Sequence, residues 1–170
     1  MSSQFLAENA LILGDRNGKV TLVDPRCPDK LLSVAEPRRN VASSVVDLLR
    51  VSDEEVIAHC MNGVNLLYDV RMRGRCKVRY EVMEGAGGEN GRLSGNRKHR
   101  GVVRHNDCVL SPVTDSSNGT GLGVWKETGA WVGLARLDYS RVGEGVGISN
   151  VLDGKIVVRC GDDVWKVDFI

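Results

Sequence analysis

Two short runs place an acid and a base two residues apart at the end of an apolar stretch: Asp24-Pro25-Arg26 and Asp69-Val70-Arg71. They lie 45 residues apart (69 − 24 and 71 − 26). An Asp that closes a strand can cap the turn that follows. An Arg just beyond it carries a planar fork of donors that matches the carboxylates or carbonyl oxygens of a partner. The chemistry this spacing suits is recognition. The competing reading is that each Asp and Arg simply satisfy backbone groups and one another.

Other reactive side chains make weaker constellations. His59-Cys60 would point to opposite faces of a strand and so cannot share one ion without distortion. His105 and Cys108 have a permissive spacing but no second pair of ligands. Cys60, Cys108 and Cys160 read as small core residues. Asp53-Glu54-Glu55 reads as a solvated turn. Gly85, Gly87, Gly88 and Gly91 resemble a phosphate loop only loosely, because no strand-to-helix context or Gly-Lys-Ser/Thr follows. Neither a nucleophile elbow nor a cofactor fingerprint occurs, so the expectation is a non-enzyme with no cofactor and no metal.

The elements that must position the Asp-x-Arg runs are two hairpins. Residues 55–71, EVIAHCMNGVNLLYDVR, read as strand, Asn62-Gly63 turn, strand. Residues 10–26, ALILGDRNGKVTLVDPR, repeat the pattern around Asn17-Gly18, again 45 residues earlier (63 − 18). Asn-Gly between apolar runs predicts a type I′ turn, with positive φ at both residues.

A period of about 40–45 residues with strands and a hydrophobic-Asp ending resembles the WD-repeat β-propeller family. Leu22-Val23-Asp24 and Leu67-Tyr68-Asp69 take the place of the family's hydrophobic-Trp-Asp, and the Trp is present in neither. The tandem Asp-x-Arg endings also resemble the hydrophobic-Trp-Asp-x-Arg box of substrate receptors for cullin-RING ubiquitin ligases. That resemblance implies that Asp24, Arg26, Asp69 and Arg71 bind a protein partner, the ligase's propeller-shaped adaptor.

Bulk properties agree with an all-β chain. Twenty glycines and only 5% aromatic residues favour short strands and tight turns, and no long amphipathic helix stands out. The balance of 23 basic and 22 acidic residues leaves a formal charge of +1, which gives no global field for nucleic acid or an anionic membrane. No apolar run approaches the roughly 18–20 residues that cross a bilayer, and no secretion signal is evident. Five cysteines without regular spacing read as reduced thiols, which places the chain in cytoplasm or nucleus. Asn118-Gly119-Thr120 is read as an ordinary turn.

The expected organisation is a WD-repeat-like β-propeller segment over 1–170, with about four blades at 3–36, 41–83, 101–140 and 145–170 and a flexible insertion at 84–100. Pro25, Pro28 and Pro37 should end strands of the first blade. Residues 41–51, VASSVVDLLRV, fit both the strand and the helix period, and their β-branched content favours strand. The last blade lacks a fourth strand after a hairpin around Gly161-Asp162-Asp163. The segment is therefore expected to be a partial or incomplete ring, with remaining blades from the same or another chain. The expected function is a non-catalytic protein-interaction module, most concretely the cullin-RING receptor. The alternative is a scaffold subunit of another intracellular complex, such as an RNA-processing or ribosome-related assembly, using the insertion with its basic cluster Arg97-Lys98-His99-Arg100. An enzyme built on a propeller is a distant third.

Overall fold

The computed structural model describes residues 2–7, 10–24, 26, 31–35, 43–72, 76–81, 93–94, 101–115, 119–136, 146–152, 155–160 and 163–167. The expectations placed on Pro25, Pro28, Pro37, Asn118, the 161–162 turn and the 97–100 basic cluster lie outside them. Among the described residues every regular element is a strand. The chain divides into two compact units, Met1–Arg79 and Tyr80–Ile170.

In the first unit, Ser2–Ala7 (β1), Ala10–Gly14 (β2), Val20–Val23 (β3) and Leu31–Ala35 (β4) form a four-stranded sheet in chain order. A second four-stranded sheet follows from Val45–Arg50 (β5), Glu55–Cys60 (β6), Asn65–Asp69 (β7) and Cys76–Tyr80 (β8), whose last residue opens the second unit. Ile12 and Val20 of the first sheet pack with Val45, Leu48, Val56, Ala58 and Tyr68 of the second, removing them from water as one core.

The ambiguous stretch at 41–51 is strand where it is described as regular, in β5. Val45 and Leu48 are three residues apart, yet both enter the same core. The reason is a bulge: Val45 pairs with Cys60 and Asp47 with His59, so Val46 is skipped. One extra residue resets the alternation of faces.

The turns differ from the type I′ expectation. Gly18 (φ 82°) and Gly63 (φ 84°) are left-handed, but neither Asn17 nor Asn62 has positive φ. Gly18 N–H bonds to the Asp15 carbonyl at 3.3 Å, and Asp15 N–H to the Lys19 carbonyl at 3.0 Å. Gly63 and Cys60 repeat this, with Gly63 N–H on the Cys60 carbonyl and Cys60 N–H on the Val64 carbonyl, both at 2.9 Å. Each loop is thus a three-residue connection whose last member is a left-handed glycine, the type I turn with a G1 bulge. The Asp15 carboxylate fixes the first by accepting from Asn17 N–H and Lys19 N–H, both at 2.8 Å.

Both turns lie against one short segment. Ser44 Oγ donates to the Arg16 carbonyl at 2.8 Å and Val45 N–H to the Asp15 carbonyl at 2.9 Å. On the other side Asn62 N–H donates to Ser43 Oγ at 3.1 Å and Met61 N–H to the Ser44 carbonyl at 2.8 Å. The two repeats are therefore stacked in the same orientation, with their Asn-Gly turns at the same end.

The second unit holds Leu93–Ser94 (β9), Val103–His105 (β10), Cys108–Asp115 (β11), Gly119–Lys126 (β12) and Trp131–Arg136 (β13), in which β10 to β13 pair in chain order and β9 pairs with Thr114 and Asp115 of β11. Val146–Leu152 (β14), Lys155–Cys160 (β15) and Asp163–Val167 (β16) make a three-stranded sheet. Val103, Leu110, Leu122 and Val124 pack with Val146, Ile148, Ile156 and Val158. Trp125 is fully buried, stands edge-on to Tyr80 and Trp131, and donates its Nε1–H to the Glu81 carbonyl at 2.8 Å. The turn at 126–130 repeats the bonding of the Asn-Gly loops, with Gly129 (φ 92°) donating to the Lys126 carbonyl at 2.9 Å.

Candidate functional site

Each Asp-x-Arg run follows the third strand of its sheet, Asp24 just after β3 and Asp69 at the end of β7. In the first, Asp24 Oδ1 accepts from Arg26 N–H and from Arg26 Nε–H, both at 3.0 Å, and Oδ2 accepts from Nη2 at 2.8 Å. The second makes the same three bonds: Arg71 N–H and Nε–H at 3.0 Å, and Nη2 at 2.7 Å. The carboxylate grips the side edge of the guanidinium and its own turn at once. This realises the intramolecular reading of the residues, and it also aims the Arg. Both guanidinium side chains remain largely in solvent, with 68% exposure for Arg26 and 61% for Arg71.

The grip is visible in the electrostatics. The Arg26 guanidinium holds the Asp24 carboxyl at about 2, and Arg71 holds Asp69 at about 2, in each case chiefly through the side-chain hydrogen bond. Arg71 is pushed up in return, first by its bond to Asp69 and then, with burial opposing, by the charges of Asp69, Glu54 and Glu55. Hydrogen bonds to the ionised form are the largest cause of all three shifts.

The two sites differ in their surroundings. The Asp69 side chain is 6% exposed against 35% for Asp24. Arg71 Nη1 also meets Glu54 Oε2 at 2.7 Å. Glu54 is delivered there by the hairpin register: Glu55 pairs with Asp69, and Val70 N–H donates to the Glu54 carbonyl at 2.8 Å. Asp53 and Glu54 stand in an exposed bend, as the solvated-turn reading expects, and each acid of the run also meets a base: Asp53 with Arg50, Glu54 with Arg71 and Glu55 with Lys77. Met72, next to Arg71, is 48% exposed. Its N–H closes the turn on the Asp69 carbonyl at 3.0 Å.

Glu54 and Met72 were missed as site residues. The signal for Glu54 was present, because centring the hairpin on Asn62-Gly63 sets position 54 opposite Arg71, and the three-residue loop moves it by only one place, to position 70.

The histidine and cysteine candidates take other places. His59 is buried, with Nδ1 at 2.7 Å from Asn65 Oδ1. Cys60 is buried, and burial pushes its thiol up to about 12, which leaves it protonated. Cys108 is partly buried and packs against the core of the second unit, at its margin and not at its centre. His105 and Cys108 face each other across a two-residue turn in which Asn106 has φ 50°. Among the described residues no group of three or more His, Cys, Asp or Glu side chains could hold a metal.

No protein-family model matches the sequence, and no curated protein matches it. Solved structures do. The WD40 β-propeller domain of Doa1 superposes with a TM-score of 0.64 at 16% identity, covering 96% of this chain and 48% of that one. The fold is a WD-repeat-like β-propeller. BamB from Moraxella catarrhalis gives a TM-score of 0.61 at 18% identity over 94% of this chain and 46% of its own. The β-propeller domain of Myceliophteria thermophila Cps50 (Swd1) gives 0.59 at 14% identity over 94% and 50%. The chain spans about half the length of these solved structures. In propeller terms the four sheets are blades, and each Asp-x-Arg run follows the third strand of its blade.

Proposed function

We propose that the chain is a non-catalytic protein-interaction module of cytoplasm or nucleus, and that it serves a cullin-RING ubiquitin ligase as a substrate receptor. Asp24, Arg26, Asp69 and Arg71 dock the ligase adaptor. The observation that supports this reading is the repeated grip, in which two Asp-x-Arg runs 45 residues apart hold exposed guanidinium groups by the same three bonds. An Arg already fixed in direction loses less freedom on binding than a free one, and buried Arg anchors often dominate interfaces. Each Asp keeps its partner oriented and does not itself need to touch the adaptor.

Co-purification tests the reading. The Arg26→Ala, Arg71→Ala double variant should lose the adaptor while remaining folded, because both side chains stand mostly in solvent. Adaptor recovery unchanged in that variant, together with loss of a different complex on deletion of residues 85–100, would sink the receptor reading in favour of a scaffold for another assembly.

A further inference from the structure

We propose that Glu54 stands in for a partner's carboxylate on Arg71, so that the second box binds an acidic side chain followed by an apolar residue only by displacing Glu54. The inference rests on Arg71 being a partner contact, and it adds which chemistry the contact accepts.

Three observations carry it. First, the two carboxylates on Arg71 are unequal. Asp69 holds the Nε and Nη2 edge and the backbone N–H, with a side chain 6% exposed, whereas Glu54 meets only Nη1 from a side chain 51% exposed. Exposed single-contact pairs are weak and exchange readily, while a bidentate grip persists. Removing Glu54 therefore leaves a guanidinium still aimed by Asp69, with its outer end ready for another carboxylate. Second, Met72 lies next in the chain and is one of the few large apolar side chains left in solvent among the described residues. Its N–H closes the turn on the Asp69 carbonyl, so the exposed thioether belongs to the same short loop as Arg71, which is why an apolar neighbour is specified. Third, the competing charge belongs to the second repeat. The residue 45 positions earlier in the sequence is the neutral Asn9, and Glu54→Gln probes the charge at nearly constant side-chain size. The main-chain bond from Val70 N–H to the Glu54 carbonyl is unaffected by that change.

The geometry also sets the sign of each variant. Glu54→Gln removes the competitor and should tighten binding roughly two- to fivefold, the range expected when one exposed ion pair no longer has to be broken. Arg71→Gln should abolish binding, and Met72→Ser should weaken it.

The probe is an N-acetylated Asp-Leu amide, titrated into the full chain while the Arg71 Nε–H resonance is followed by NMR, with the Asn-Leu amide as the neutral control. The expected result is a saturable shift for the Asp peptide alone, steeper in Glu54→Gln and absent in Arg71→Gln. Equal affinity in wild type and Glu54→Gln, or a response from the Asn peptide as large as from the Asp peptide, overturns the proposal. Adaptor co-purification separates this from the receptor reading. A tighter Asp peptide with no adaptor recovered from any variant supports the displaced-carboxylate mechanism and removes the adaptor as its partner. Adaptor lost in Arg71→Ala but indifferent to Glu54→Gln, with no change in the peptide titration, keeps the receptor reading and defeats the proposal.

Discussion

His59 Nδ1 lies 2.7 Å from Asn65 Oδ1 across the strand pair β6 and β7, and both residues are buried. A carboxamide oxygen can only accept, so the imidazole proton is on Nδ1. The pair occupies a directly opposed position in the ladder, His59 against Asn65. Replacing Asn65 by Leu keeps the volume and removes the acceptor, leaving a buried donor without this bond. The expected loss is about 1–3 kcal/mol. Urea unfolding should show a lower midpoint with an unchanged slope, which marks a change in stability and not in compactness.

Asp69 gives the second block a pH signature. Its folded pKa, about 2, lies below the ordinary value of 3.8, so the contribution is fully present above about pH 4. It is lost as the pH falls from there through about 2. In Arg71→Ala the Asp69 carboxyl should move up toward its ordinary value, since the Arg71 side-chain bond is the largest cause of the shift. Carboxyl carbon titration by NMR reads this directly, and an Asp69 midpoint unmoved by the substitution would contradict the assignment.

Gly101 (φ 92°) approaches β14 so closely that a Cβ built on it would fall inside the Ile148 carbonyl oxygen. Gly101→Ala therefore combines a left-handed backbone with a main-chain clash. A loss of about 2–4 kcal/mol is expected, concentrated in Tyr80–Ile170. Hydrogen exchange should report faster amides in β10, β11, β14 and β15 than in β2, β3, β6 and β7.

Thiol chemistry should separate two cysteines. Cys60 is buried and its thiol is pushed up to about 12 by that burial, while Cys76 is exposed. Alkylation of the native chain followed by peptide mass mapping should label Cys76 and spare Cys60 until denaturant is added. Equal labelling of both under native conditions would show that β6 opens locally.

Much of the fold was legible because each hairpin carries its own signals. The apolar runs at 11–14, 20–23, 55–60 and 65–69 and the two Asn-Gly punctuations sufficed to pair the strands and to find the repeat. Turn type was not legible from the dipeptide, since Asn is equally at home in right-handed φ. Asp15 draws Lys19 N–H into its carboxylate and lengthens the loop to three residues. The helix-or-strand ambiguity of 41–51 had a physical source as well, the bulge at Val46 that puts Val45 and Leu48 on one face. At the candidate site the Asp-x-Arg spacing was readable, and the companion charge could be found only by carrying the hairpin register back to position 54. Glu54 sits in a run of three acids, and the exposure that such a run predicts for Asp53 and Glu54 hides the base that each of them also meets.

Ser43 and Ser44 touch both Asn-Gly loops through four hydrogen-bonding groups of their own and their neighbour Val45. For anyone grafting a tag or reporter onto this molecule, those loops are poor choices despite their polar tips. Lengthening one would pull on the suture and disturb the blade beside it, so an insertion there should be read as a perturbation of two sheets.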